Sequence, residues 1–179
     1  MSVEEAAGDR GRFLRDIALC VSTHQGASPA LVWPEDAEGV IAELSAELNA
    51  TRSHGTPDQP SLRPATDRVS RQLVRGFATL VDASVRGSLC ELTSGQEADA
   101  VRPGTDAVLL LLSGGCECRV RPARAETDRA VSETELTVRL RRGEALYAPH
   151  GFDCRIADVH TSALLLVLHI DPGFRPVEL

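Results

Sequence analysis

The chain has no lysine: all 19 basic residues are arginine, set against 26 acidic residues for a formal net charge of −7. A chain with an acidic balance lacks the positive face that neutralises phosphates, so general nucleic-acid binding is not expected. Aromatic residues make up 3% of the sequence, too few for a platform on which bases or sugars stack. No apolar run, residues 107–112 included, approaches the roughly 20 residues that a membrane helix needs. A charged start followed by an apolar stretch is also missing, so the expectation is a soluble, cytoplasmic protein without a membrane partner. Five cysteines, an odd number without an export leader, read as reduced thiols rather than a disulfide framework. The Asn49-Ala50-Thr51 sequon is accordingly taken as chance. What is present, 179 residues of which 42% are apolar, suffices for one domain with a core that needs no staples.

Hydrophobic period divides the chain into a helical region, residues 1–83, and a strand-rich region, residues 84–179, which together form one structural unit. Over residues 4–20, Phe13, Leu14, Ile17 and Leu19 fall within one apolar stripe, which predicts a helix. A second helix starts near Pro34, a first-turn residue, with Glu35 and Asp36 complementing the positive end of its dipole. Val40, Ile41, Leu44 and Leu48 then recur at helical spacing. The stretch near 52–65, rich in Ser, Gly, Pro and Thr, predicts a flexible surface loop. Thr66 or Asp67 is placed to cap a third helix whose stripe is Val69, Leu73, Val74, Phe77, Leu80 and Val81. Beyond residue 84 the period shortens to two or to brief continuous apolar runs. These predict strands at 85–92, 107–112, 116–120, 135–140, 145–148, 154–156 and 163–170. Ser113-Gly114-Gly115 reads as a tight hairpin turn and residues 122–132 as a wide hairpin loop. Short strands between such turns predict a β-sandwich or small barrel.

Two patches carry a family resemblance. The run from Arg141 through Gly143-Glu144, Leu146-Tyr147, Pro149 and Gly151 to Cys154, followed by a strand opening with Ser162-Ala163-Leu164, resembles the second half of a cupin. It is most similar to the JmjC-type branch, where a Gly-Asp-x-Leu-Tyr-x-Pro-x-Gly-x-x-His run precedes a strand that begins with serine. The run from Asp106-Ala107-Val108 through Gly114-Gly115-Cys116 to Val120 resembles that family's Asp-Val-Phe-x-x-Gln-x-x-Gly-x-Lys-x-Trp hairpin. The resemblance spans residues 75–170 and implies an α+β fold, N-terminal helices packed on a small double-stranded β-helix barrel. The family's usual activity is iron(II) and 2-oxoglutarate dependent hydroxylation, which needs two histidines and a carboxylate on one face of the metal. Those positions fall here on Val101, Pro103 and Cys154, and the lysine that grips 2-oxoglutarate falls on Cys116. Valine and proline side chains offer no lone pair, so the resemblance implies the fold without its ordinary metal site.

Cys116 and Cys118 alternate onto one strand face, which in the family looks into the barrel, as does position 154. Three thiols there can hold a soft metal such as copper(I) or zinc, supply a nucleophile, or simply fill volume left by larger side chains. Glu97 and Asp99 copy the His-x-Asp spacing four positions early and with His150 would form a shifted metal site; the plainer reading is a solvated acidic loop and a surface histidine. Glu144 and Asp153 flank the same turn and act as acid or base only if the barrel mouth binds a ligand. Candidate catalytic residues are therefore Cys154, Cys116, His150 and Glu144. Arg119, Arg121, Arg139 and Arg141 alternate along two strands placed to pair, and guanidinium groups grip carboxylates or phosphates bidentately. Acids such as Glu117 and Glu135 across the ladder also suit a solvated, charge-balanced face. Candidate ligand contacts are Cys116, Cys118, Cys154, Arg119, Arg139 and Tyr147, with no metal ligand and no cofactor assigned.

The functional expectation is a metal-free JmjC-like cupin that binds a peptide, a small molecule or an enzyme of the same pathway, as an accessory protein of bacterial natural-product biosynthesis. The alternative is an enzyme that uses the barrel cavity, either an oxygenase with an unusual metal site or a metal-free cyclase or isomerase with acid–base or thiol residues. An apolar stripe on the third helix wider than one small barrel covers adds the expectation of a homodimer.

Overall fold

The computed structural model describes residues 3–51, 60–101, 104–123 and 135–171 and arranges them in three layers. One layer is helical: α1 (Val3–His24), α2 (Ala37–Thr51) and α3 (Arg68–Val81). The middle layer is a sheet in the order β1 (Ala30–Val32), β8 (Ala145–Ala148), β5 (Asp106–Ser113), β10 (Ala163–Ile170), β3 (Val85–Leu92) and β2 (Ser61–Pro64). The outer layer is a sheet in the order β4 (Ala98–Val101), β9 (Phe152–Ala157), β6 (Gly115–Pro122) and β7 (Leu136–Arg141). All pairings are antiparallel.

The layering explains the two kinds of strand. The middle sheet is covered on both faces, so β5 is buried from Asp106 to Leu112 and β10 from Ala163 to Leu168, and their apolar runs are continuous. The outer sheet meets solvent on one side. Along β6, Cys116, Cys118 and Val120 point inward while Glu117, Arg119 and Arg121 point outward. Two cores follow: Phe13, Ile17, Leu44, Phe77, Leu110 and Leu166 pack between helices and middle sheet. Leu92, Leu109, Leu111, Leu146, Ile156 and Leu165 pack between the sheets.

Within the helical layer α1 and α3 run in step. Arg10 Nη1 donates to Gln72 Oε1 at 2.8 Å, and one turn on Leu14 lies over Gly76, where a Cβ would sit 2.9 Å from Leu14 Cδ1. Gly76 therefore sets how closely the helices approach. The start of α3 is well satisfied: Asp67 accepts from the Ser70 N–H at 2.7 Å, and Glu47 of α2 accepts from the Arg68 and Val69 N–H groups at 2.9 and 3.1 Å.

Several expectations are corrected. Helix α2 begins at Ala37, after Asp36 at a φ of +58°, which leaves Pro34 outside it. Leu19 is 64% exposed and does not join the buried stripe of α1, which continues through Val21 instead. Part of the 52–65 loop is strand β2; residues 52–59 lie outside the described residues, as do 124–134 of the loop between the paired strands β6 and β7. Ser113-Gly114-Gly115 is not a hairpin turn. Strand β5 pairs with β8 and β10 whereas β6 pairs with β7 and β9, so this turn carries the chain from the middle sheet to the outer one. The stripe of α3 is largely covered, with Val69, Leu73, Phe77 and Val81 all buried. The remainder is Leu80, which with Leu19 edges a shallow depression of about 230 Å³. No helix among the described residues is long and apolar enough to cross a membrane.

Candidate functional site

The space between the sheets is filled by side chains. From the middle sheet come Cys90, Leu92, Leu109, Leu111, Leu146 and Leu165, and from the outer sheet Cys116, Cys118, Leu140, Cys154 and Ile156, each at most 2% exposed. The predicted trio of cysteines does converge there, joined by Cys90, which the sequence did not single out. The thiols form a chain of side-chain hydrogen bonds with Cys118 between Cys116 and Cys154. That bond to Cys118, with burial, pushes the Cys116 thiol far up. For Cys118 the bond with Cys116 pulls the other way, yet its bond with Cys154 and its burial hold it well above the ordinary value. Burial and the neighbouring Cys116 push Cys90 up to about 11. Cys90, Cys116 and Cys118 are thus held in the protonated form, the form least suited to nucleophilic attack.

Counted from β3 to β10, the barrel strands stand 6-3-8-1 in the middle sheet and 2-7-4-5 in the outer one, with β1 and β2 added at the edges. That is the strand order of a double-stranded β-helix, and it places Val101 of β4 directly opposite Cys154 of β9. The fold is that of a cupin. No family model matches the chain, and no curated protein matches it in sequence. Among solved structures it is similar to vicilin from Corylus avellana (hazelnut), at 18% identity and a TM-score of 0.45 over 66% of this chain and 32% of that one. It is also similar to YcfD, a ribosomal oxygenase from Escherichia coli in complex with cobalt and 2-oxoglutarate (17% identity, TM-score 0.49, 60% of this chain and 29% of that one). TT1209 from Thermus thermophilus is similar at 21% identity and a TM-score of 0.44, over 69% of this chain and 93% of that one. The chain thus spans about a third of the vicilin and of the ribosomal oxygenase that it matches. At such identities the likeness is one of fold.

At the positions that the resemblance assigns to iron and 2-oxoglutarate, the residues present do not fit those groups. Val101 has no donor atom, Cys154 brings a thiol where an imidazole is needed, and both are at most 2% exposed. Cys116, in place of the lysine, is a neutral thiol with no charge for a carboxylate. Pro103 lies outside the described residues. Among the described residues no group of three or more His, Cys, Asp or Glu side chains is placed to hold a metal ion. Glu97 and Asp99 turn to Arg155, at 2.7 and 4.0 Å, and stay apart from His150.

Tyr147, Glu144 and His150 sit away from the barrel interior. All four residues of β8 are buried, and Tyr147 uses the face toward the helices, where its hydroxyl donates to Asp106 Oδ1 at 2.7 Å. The same oxygen accepts the His150 backbone N–H at 2.9 Å, while the His150 ring is exposed with Nδ1 3.9 Å away. Burial, then the bond to Asp106, raises the Tyr147 hydroxyl well above its usual value. Glu144 accepts the indole N–H of Trp33 at 2.7 Å and the Arg141 N–H at 2.8 Å, which ties the end of β1 to the turn before β8. Asp106 and Glu144 thus spend their lone pairs on holding the fold. Tyr147→Phe leaves Asp106 with one partner fewer in a buried place and is expected to cost about 1–3 kcal/mol in urea unfolding. A loss within a few tenths of a kcal/mol would mean that water replaces the hydroxyl.

The predicted arginines lie on the outer face of the outer sheet. Arg139 stands opposite Glu117, and Arg119 stands opposite Thr137 on one side and Arg155 on the other. Arg119, Arg121 and Arg155 line a groove of about 200 Å³ together with Asp99, Glu135 and Asp153, and the groove also touches Val101 and Cys154 at the edge of the sheet. Arg155 was missed because its role depends on the register between β9 and β6. The signal within the sequence was Asp153-Cys154-Arg155, a polar residue on each side of a buried one.

Proposed function

We propose that this chain is a metal-free cupin whose work is binding, with the ligand or partner taken up on the outside of the barrel. The observation that carries this reading is the pair Val101 and Cys154, buried and opposite each other where an iron oxygenase of this fold needs its ligands. With Leu109, Leu111, Leu146 and Ile156 filling the interior, a substrate would have to displace core side chains to enter the space between the sheets, at a cost of several kcal/mol. The polar groups that stay available to a ligand are on the surface, on the arginine-bearing sheet. An accessory role beside a pathway enzyme follows the same logic, since a binding protein of this kind acts by presenting or sequestering a molecule.

The test is direct. Purified protein supplied with iron(II), 2-oxoglutarate and ascorbate is expected to release no succinate above the level without protein and to retain no stoichiometric iron after desalting. Succinate release that depends on added iron would overturn the reading.

A further inference from the structure

The outer face of the outer sheet holds an arrangement that a merely solvated surface does not need. Arg155 and Arg119 stand directly opposite each other across the β9–β6 ladder, and like charges in such positions repel. Each leans away to its own acid. Arg119 Nη2 donates to Asp158 Oδ2 at 2.6 Å and Arg155 Nη2 donates to Glu97 Oε2 at 2.7 Å. Every guanidinium carries five N–H groups, so donors on both remain for a further acceptor between them. Two residues along the strands the sign reverses: Arg121 stands opposite Asp153, at the long distance of 3.8 Å, and Glu135 lies on the other side of the groove. One row of the groove is thus led by two facing arginines, with Asp99 opposite Arg155 at its outer end, and the next by two carboxylates that flank a single arginine.

We propose that this groove binds a short zwitterionic peptide, with its carboxylate between Arg119 and Arg155 and its ammonium at Asp153 and Glu135. The spacing supports the assignment. Rows two residues apart on a strand are separated by about 6.6 Å, and two extended residues of a peptide span about 7 Å. The near balance of acids and arginines disfavours a bare anion, which Asp99, Asp153 and Glu135 would repel. A ligand carrying both signs meets complementary charge at each end. The proposal rests on the reading of the chain as a binding protein, but iron-dependent succinate release would overturn that reading without touching the groove.

Calorimetric titration with L-alanyl-L-alanine tests it on the full chain. Binding is expected, and it weakens by about tenfold or more when the amino end is acetylated, when the carboxyl end is amidated, or in the Arg119→Gln, Arg155→Gln double variant. Arg139→Gln, on the same face but paired with Glu117 outside the groove, is expected to bind as the parent does. Thermal midpoints of the variants establish that each is folded, and the capped peptides test the parent protein itself. Absence of binding at millimolar dipeptide overturns the proposal. So does equal binding of a capped dipeptide or of inorganic phosphate, unchanged binding by the double variant, or an equal loss in Arg139→Gln.

Discussion

Above about pH 9 the protein is expected to lose stability steeply, and the buried thiols are the reason. A free thiol ionises near pH 8.5, whereas Cys90 is pushed up to about 11 and Cys116 and Cys118 are held above their ordinary values too. Between the unfolded and folded values the folded chain binds more protons than the unfolded one, so stability falls as pH rises. The stability is complete below the unfolded value and drains away as pH climbs toward the folded one. Each such thiol costs about 1.4 kcal/mol per pH unit, and three together up to roughly 4, against the total of about 5–15 kcal/mol typical of a domain. Urea midpoints followed by circular dichroism from about pH 8 to 10.5 read the slope directly. Cys118→Ala should reduce that slope by more than about a third, because it also removes the bond that lifts Cys116, while costing roughly 1–2 kcal/mol at neutral pH for the space it leaves. A parallel check uses a thiol reagent near neutral pH: partly buried Cys20 should react ahead of the four fully buried cysteines, which respond only in denaturant. A flat pH profile would mean that water reaches these sulfurs in the folded protein.

The reach of the sequence varied with what each element depends on. Strands β5 and β10 announce themselves because burial on both faces leaves an unbroken apolar run, and β6 does so because one wet face imposes alternation. Asp67 as a cap is a local property and was legible as one. Strands β1, β2 and β4 were not, since three or four residues hold too little pattern and these exist through their partners β8, β3 and β9. The same boundary runs through the candidate site. Convergence of Cys116, Cys118 and Cys154 followed from the family pattern, yet Cys90 joins them only through the facing of the two sheets. Tyr147 lies in a strand buried on both faces, where alternation carries no sign to say whether a side chain meets barrel or helices. The facing of Arg119 and Arg155 is a matter of register between strands that are 36 residues apart, which pattern within either strand does not encode.

Gly114→Ala is expected to be among the most damaging single substitutions in the protein. Gly114 holds a φ of +80° at the corner where the chain leaves the middle sheet for the outer one, and the left-handed region costs an alanine about 1–2 kcal/mol by itself. Space adds more. A Cβ there would lie 2.1 Å from the Ser162 carbonyl oxygen and 3.0 Å from the Ala163 Cα, and both are backbone atoms that no rotamer change moves aside. Relief requires the corner to draw away from the start of β10, the strand that pairs with both β3 and β5 in the middle of the sheet. A loss of more than about 3 kcal/mol follows, read as a fall in the urea midpoint at unchanged slope. Gly115→Ala is the matched control, since a Cβ there meets nothing within 4 Å, and it should cost under about 1 kcal/mol. The distortion would also travel along β6, which begins at Gly115 and carries Arg119 four residues on, so any Gly114→Ala protein that folds should bind the zwitterionic dipeptide less well than the control. Equal stability of the two variants would mean that the corner is looser than its geometry implies.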